Sequence, residues 1–581
     1  MKKNCFFLYI LILSMFSNCH KEDIIFYPAE GDTEFDKGSS IDFPELNEQL
    51  IANLDLLGKI WGFLKYHHPV VGKGKYNWDY ELFRILPKYL KVKNNEERDK
   101  FILDWINKYG KIPACTTCQD TRDAFIKPDL SWVESRIMNS DLKGKIREIK
   151  KNRYQGDHYY VRMSKEMGNH EFLHEKSYSG LIYPDAGFRL LALFRYWNMI
   201  QYYYPDKYLA DKDWNDVLSE YIPIFLTVEN RLAYELAVLQ MIGEMWDSHA
   251  GYLMEGCRTI EEELRGNKYA PFRVWFIEGK LVVTDYYNWR LKETSGPEPG
   301  DIITHIDGET VESIVIKMKN YYPAANNARK LHDISFDILR SKKSTSVINY
   351  ISYGQSVQKE IPLYNRNQMN IYKWIVKNER SFKLLSDDIG YVTVASITIE
   401  DIQAIRELFQ NTKGIIIDIR NYPPIWPSLH LAYSLGSWFI YAPSPVSKIS
   451  NVNLNNPGEF IFTPIASIQN TGSVTYLGKV IVLVNEITLS SAECFAMIFR
   501  AGVNTTIIGS TTAASLGVTT TICLPGGIET RFTSIGFYYP DGTPTQRVGI
   551  VPDVWVEPTI EGIRQGRDEL LEKAISLINE E

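Results

Sequence analysis

One stretch near the C-terminal end constrains this chain more than any other. The run Gly478-Lys479-Val480-Ile481-Val482-Leu483-Val484-Asn485 has the apolar, β-branched content of a buried strand. It leads into Thr488-Leu489-Ser490-Ser491-Ala492-Glu493-Cys494-Phe495-Ala496, which reads as a hydroxyl residue opening a helix. A strand that turns into a helix in this way sets the hydroxyl at a helix N-terminus. Free N–H groups and the helix dipole there favour negative charge. Ser490 is therefore either a helix N-cap or a nucleophile.

A chain of 581 residues exceeds one ordinary core and predicts two to four domains. Its 45% hydrophobic and 23% charged residues are those of a globular protein. A net charge of −7 argues against nucleic acid as a partner. The basic run from Lys143 to Arg153 reads as a solvated helix face.

The N-terminus reads as an address. Met1-Lys2-Lys3 is positive, and Phe6 to Phe16 is apolar but too short to span a membrane. It ends at Phe16-Ser17-Asn18-Cys19, which resembles a bacterial lipoprotein cleavage box with Cys19 as the lipid-bearing residue. His20-Lys21-Glu22-Asp23 resembles a surface-export signal of some Bacteroides-like lipoproteins. The resemblance implies a signal peptide over 1–18, attachment to the outer membrane through lipid, and possible surface exposure. A lipid-anchored tether is expected over 19–45, its acidic part, Glu30 to Ser40, being flexible. Cys115-Thr116-Thr117-Cys118 reads as a local disulfide or free thiols. No second cysteine pair completes a zinc site, so no metal is expected. Cys257, Cys494 and Cys523 read as single thiols, the last two in the core.

The N-terminal half contains a repeat. Trp61, Tyr66, Pro69, Trp78 and Pro87 match Trp197, Tyr202, Pro205, Trp214 and Pro223, each pair 136 residues apart. Leu57, Ile60, Trp61 and Leu64 form one apolar helical face. Two related helical units are expected, 46–115 and 186–252. The second ends in Asp247-Ser248-His249-Ala250, whereas Pro113 stands where His249 would fall in the first. By itself His249 is a helix C-terminal cap or a base. His67 and His68 read as packing groups. Further on, Pro299-Gly300-Asp301-Ile302-Ile303-Thr304-His305-Ile306-Asp307-Gly308 resembles the hairpin of PDZ domains, which take an extended peptide as an added strand.

Motifs on both sides of Ser490 fall in a consistent order. Ile389-Gly390-Tyr391-Val392 and Gly414-Ile415-Ile416-Ile417-Asp418-Ile419-Arg420-Asn421 precede it. Ile507-Ile508-Gly509-Ser510-Thr511-Thr512, Tyr539-Pro540-Asp541-Gly542 and Gly549-Ile550-Val551-Pro552-Asp553 follow. Over 380–575 the chain resembles the C-terminal-processing (tail-specific) serine peptidases, in their tricorn-like branch. The fold implied is multidomain α/β: helical N-terminal repeats, a PDZ-like β domain and a ββα-spiral (crotonase/ClpP-like) peptidase core. The corresponding segments are 46–185 and 186–266 for the helical units, 267–365 for the PDZ-like domain and 366–581 for the core. A closing helix is expected to bury Leu570, Ala574 and Leu577.

The resemblance also implies roles. Ser490 is the nucleophile, His249 the general base with Ser248 beside it, and Gln546 occupies the place of the tricorn-type glutamate, orienting the base unless Asp247 or another acid takes that task. The Ser491 N–H is one oxyanion donor, with Tyr422 or the Asn421 amide as the second. Ser515 stands where the tail-specific enzymes carry a lysine, which argues against a Ser–Lys dyad. Asn421-Tyr422-Pro423-Pro424 replaces the family's Gly-Gly. The function implied is a lipid-anchored serine endopeptidase acting on peptides or proteins without a cofactor. The alternative is a non-catalytic peptide- or ligand-binding lipoprotein on the same scaffold, as in the interphotoreceptor retinoid-binding protein.

Overall fold

The computed structural model describes residues 26–252, 256–371, 380–424, 428–472 and 474–580. The signal segment and Cys19 lie outside them. Two long helices, α1 (Glu48–His67) and α4 (Ala186–Tyr203), organise the N-terminal half. A Cβ on Gly58 would lie 2.6 Å from Phe194, and one on Gly62 would lie 1.9 Å from Asn198. Tyr66 meets Tyr202 with ring centroids 5.9 Å apart. All three contacts join positions 136 residues apart, so the helices run in the same direction and in register. The two glycines remove the side chains that would hold the helices apart, and Asn198 Nδ2 donates to the Gly58 carbonyl at 2.9 Å.

Each long helix is followed by a shorter one containing a proline, α2 (Trp78–Tyr89) and α5 (Trp214–Thr227). Trp61 Nε1 donates to the Trp78 carbonyl at 3.0 Å, and Trp78 Nε1 returns a bond to the Trp61 carbonyl at 2.9 Å. Trp197 and Trp214 exchange the same two bonds at 2.7 and 3.0 Å. Four buried indoles thus satisfy their only donors on one another's backbone. Asn94 and Asn230 then cap α3 (Asn95–Asn107) and α6 (Arg231–Gly243). α6 leads into the short α7 (Ser248–Tyr252), which starts at the candidate base. Where α1, α2 and α4 meet, Lys65 and Arg195 pair with Asp79 and Glu175. Two cations balance two anions in this buried cluster, which removes the cost of an unpaired buried charge.

The acidic segment expected to be a flexible tether is instead packed down. Arg84 pairs with Asp32 at 2.7 Å and with Glu34 at 2.6 Å, and Ser39 Oγ donates to Asp185 at 2.6 Å. Its acids have found cationic and hydroxyl partners on the helices, which the local composition does not reveal. Cys115 and Cys118 form a disulfide. Of the three single thiols Cys257 is the buried one, while Cys494 and Cys523 are half-buried, the reverse of the expectation.

An antiparallel sheet follows, in the order β1 (Phe272–Ile277), β2 (Lys280–Tyr286), β3 (Ile302–Ile306), β4 (Thr345–Ser352) and β5 (Gln355–Pro362). Helix α8 (Asn327–Asp337) packs on β1.

The C-terminal part is built on β6 (Phe382–Ser386), β7 (Ile389–Thr393), β8 (Gly414–Asp418), β10 (Lys479–Val484), β11 (Thr505–Gly509) and β14 (Val554–Trp555), adjacent in that order. Every pair after β6–β7 is parallel. A second sheet pairs β9 (Ser444–Val452) with β13 (Ile528–Tyr538), and β13 with β12 (Gly517–Leu524), all antiparallel. In β8, Ile415 and Ile417 point to the face covered by α9 (Ser491–Arg500), and Ile416 to the face covered by α10 (Glu569–Asn579). A strand covered on both faces reads as an unbroken apolar run. α10 buries Leu570, Ala574 and Ile578, and Leu577 is half-buried against the same cluster as Ala574 and Ile578. Among the described residues no helix is long and apolar enough to cross a membrane.

Gly→Ala inside a helix ordinarily stabilises by about 1 kcal/mol. For Gly62→Ala the opposite sign is expected, a loss of about 1–3 kcal/mol, because the new methyl overlaps Asn198. Denaturant unfolding measures it; a stabilised variant would refute the close parallel packing of α1 and α4.

Candidate active site

The turn between β10 and α9 is fixed by its own polar residues. Asn485 N–H donates to Thr488 Oγ1 at 3.1 Å, and that hydroxyl donates to the Ile419 carbonyl at 3.0 Å. The bond ties the nucleophile turn to the end of β8, two residues before Asn421. Ser490 follows with φ 56° and ψ −113°. Such a conformation is costly for a side chain with a Cβ and persists only where its surroundings impose it. Here the Ser490 N–H donates to Glu493 Oε2 at 3.0 Å.

Glu493 has no exposed surface and organises the neighbouring turn as well. Its Oε1 accepts from Thr512 Oγ1 at 2.5 Å and from the Ala514 N–H at 2.9 Å, and its Oε2 accepts from the Ser515 N–H at 3.1 Å. Burial pushes its carboxyl above 4.5, outweighing these bonds, which act in the other direction. The turn must also pass close to β10. Gly509, at φ 132°, lies where a Cβ would be 1.9 Å from the Val484 carbonyl oxygen.

On the other side stands the end of the helical half. Asp247, fully buried, accepts through Oδ1 from Ser515 Oγ at 2.8 Å, Thr533 Oγ1 at 3.0 Å and the His249 N–H at 3.0 Å. Its Oδ2 accepts from the Thr533 N–H at 2.6 Å. Burial raises its carboxyl, but the His249 ring and the N–H groups of Thr533 and His249 outweigh that and hold it below 3.8. His249 is 6% exposed, and its Nδ1 lies 2.8 Å from Thr533 Oγ1 and 3.6 Å from Asp247 Oδ1.

Strain concentrates here. Of ten non-glycine residues with positive φ among those described, Trp246, Ser490, Ala514 and Arg547 belong to this site. Strained backbone held by its surroundings is a mark of functional sites. The Arg547 guanidinium lies 4.2 Å from the Trp246 ring centroid, and the Arg547 backbone N–H donates to the Ala514 carbonyl at 3.2 Å, so three of the four strained positions brace one another.

The expected site residues divide into two groups. Glu493, which holds the Ser490 N–H, and Asp247 and Ser248, which precede His249, all bond to the 512–515 turn, although among the described residues no hydrogen bond joins Ser490 Oγ to the ring. Such bonds are often long without substrate. Ser491 begins α9, where its N–H lies in the first turn. Asn421 and Tyr422 are half-buried beyond β8. Ser248, expected beside the base, donates instead to the Ala513 carbonyl at 2.7 Å and accepts from the Ala325 N–H at 2.8 Å. Its hydroxyl joins the first antiparallel sheet's domain to the turn. Gln546, expected to orient His249, sends Nε2 to the Trp246 carbonyl at 2.8 Å, and its Oε1 is 3.5 Å from Ser515 Oγ. The ring is held by Thr533 instead. The sequence reading missed Thr533 and Glu493. Glu493 had a signal, since Ser490-Ser491-Ala492-Glu493 is the Ser-x-x-Glu pattern of a helix start. Thr533 had none, lying 284 residues from His249 within a strand.

Residues 388–556 match the model of peptidase family S41. It is 23% identical over 326 residues to a probable CtpA-like serine protease of Staphylococcus haemolyticus, an alignment covering 55% of this chain and 59% of that one. It is 26% identical over 216 residues to a carboxy-terminal-processing protease of Bartonella bacilliformis, covering 34% and 46%. The chain thus spans between about half and three-fifths of these relatives' lengths. Among solved structures, mature CPAF superposes with a TM-score of 0.54 at 15% identity, over 68% of this chain and 98% of that one. At that identity the likeness speaks for the fold.

Glu493 yields a pH test. Its folded value is raised above 4.5, so its contribution to stability is complete below that value and is lost as the pH rises through the folded one. Glu493→Gln removes this titration. The stability difference between wild type and variant should therefore change with pH in the wild type's disfavour on going upward from pH 4.5. Urea unfolding across that range measures it, and a pH-independent difference would contradict the raised value.

Proposed function

We propose that the protein is a serine-type endopeptidase that cleaves peptides or proteins outside the cytoplasm by acyl-enzyme chemistry. The observation that carries this is Ser490, held at positive φ on the strand-to-helix turn with its N–H fixed by a buried carboxylate. In this reading Ser490 attacks the scissile carbonyl and His249 takes its proton, later giving it to the leaving amine. The Ser491 N–H holds the oxyanion with Asn421 or Tyr422. The Thr488–Ile419 bond supports that assignment, since it brings the two turns together.

The finer parts of the reading have their own support. The domain of β1–β5 is read as PDZ-like and as guiding the peptide. Ala325 and Asn326 join it to the site, the latter donating through Nδ2 to the Thr512 carbonyl at 2.8 Å. The helical half is read as a duplication, supported by the two matching tryptophan exchanges. Cys19 is read as the lipid anchor to the outer membrane, supported by the preceding apolar segment.

Fluorophosphonate should label the purified protein, and Ser490→Ala should abolish the signal. His249→Ala should slow labelling by about 100-fold or more, the scale of lost general-base catalysis. A folded protein that does not react would point to the binding scaffold instead. In cells, Cys19→Ser should move the protein from the membrane to the soluble fraction; unchanged membrane attachment would remove the lipid assignment.

A further inference from the structure

His249 is gripped from behind by Asp247, which the sequence left open as a substitute for Gln546, and by Thr533, which the sequence did not suggest. Asp247 Oδ1 lies 3.0 Å from Thr533 Oγ1, which lies 2.8 Å from His249 Nδ1. An ionised carboxylate only accepts hydrogen bonds, and a hydroxyl has one proton. The Thr533 proton is therefore committed to Asp247, and the Thr533 oxygen must accept from His249 Nδ1. That places the ring proton on Nδ1 and leaves the lone pair on Nε2, the tautomer a general base needs.

We infer that Asp247, acting through the Thr533 hydroxyl, is the positioning residue that fixes the orientation and tautomer of His249. The inference rests on the reading of Ser490 and His249 as nucleophile and base. It gives Asp247 and Thr533 the task expected of Gln546, whose amide is engaged with the Trp246 carbonyl and Ser515. The carboxylate is itself immobilised. The Thr533 and His249 N–H groups and the Ser515 hydroxyl bind it at 2.6, 3.0 and 2.8 Å. Thr533 therefore holds Asp247 twice, by backbone and by side chain, and only the side-chain bond continues to the ring. When the ring takes a second proton, the positive charge forms with Nδ1 3.6 Å from Asp247 Oδ1. The relay thus orients the neutral ring and stabilises the charged one.

Thr533→Val separates the relay from the framework. It removes the hydroxyl and keeps both the strand and the N–H bond to Asp247 Oδ2. Fluorophosphonate labelling at Ser490 should slow at least 10-fold, short of the about 100-fold or more that loss of the base itself brings. Thr533→Ser, which restores the hydroxyl, should recover most of the rate. Equal losses in both variants, or none in Thr533→Val, would overturn the relay. Nitrogen-15 spectra of histidine-labelled protein give a second readout independent of activity. His249 should be protonated at Nδ1 in the wild type and in Thr533→Ser and become mixed in Thr533→Val; a ring protonated at Nε2 in the wild type overturns the inference. If wild type fails to label, or labels equally after His249→Ala, the peptidase reading falls, and the spectra still decide whether Asp247 and Thr533 set the tautomer. Unfolding midpoints of all variants guard against loss of fold.

Discussion

Two fully buried carboxylates, Glu493 and Asp247, meet through one serine. Ser515 gives its N–H to Glu493 and its hydroxyl to Asp247. A buried carboxylate is tolerated only where donors surround it. Here the donors are the chain segments that make up the site: the Ser490 N–H, the 512–515 turn, the start of α7 and the edge of β13. Meeting the needs of the two acids therefore draws four distant parts of the sequence into one place. The positive φ values at Ser490 and Ala514 follow from it, because N–H groups on both turns must aim at the same carboxylate.

The helical half delivers its share of this network by stacking. α1 and α4 meet without intervening side chains, and the tryptophan exchanges lock α2 and α5 against them. α5 in turn packs on α6, whose end carries Asp247 and His249. The junction is braced around Trp246, with Lys330 4.4 Å and Arg547 4.2 Å from the centre of its ring. These cations come from the first antiparallel sheet's domain and from the core, so one indole is gripped from two sides next to the acid of the site.

Much of the architecture was legible because its signals are local or periodic. The continuous apolar runs of β8 and β10 announced buried strands, and the spacing of 136 residues recurs in the contacts between α1 and α4, whose packing on each other the sequence did not announce. Ser490 was legible because its strand, turn and helix are contiguous. The setting of His249 was not. Thr533 is one of several threonines in a β-rich stretch, and nothing in its neighbours says that its hydroxyl will meet a ring 284 residues away. The packing of Asp32, Glu34 and Ser39 escaped for the same reason, since composition records charge but not the arginine or aspartate that awaits it. Gln546 was misassigned because position in a motif was taken for contact; a turn carrying Arg547 at φ 65° sends the side chain to Trp246.

The departures from the family pattern act together. Ser515 stands in place of a lysine, Gln546 in place of a glutamate, and the two side chains are neighbours at 3.5 Å. The lysine belongs to the tail-specific pattern and the glutamate to the tricorn-type one; Ser515 and Gln546 are both neutral, so neither places an unpaired charge in this buried setting. The exchange also alters what Asp247 faces. A lysine at 515 would bring an ammonium toward this carboxylate, whereas the serine hydroxyl gives a proton to Asp247 and accepts the Ser248 N–H at 2.9 Å. His249 Nδ1 then lies 3.6 Å from Asp247 Oδ1, with no lysine between them. On the inference drawn above, the acid that serves the histidine is the residue two places before it in the chain, held by neutral hydroxyl donors from Ser515 and Thr533.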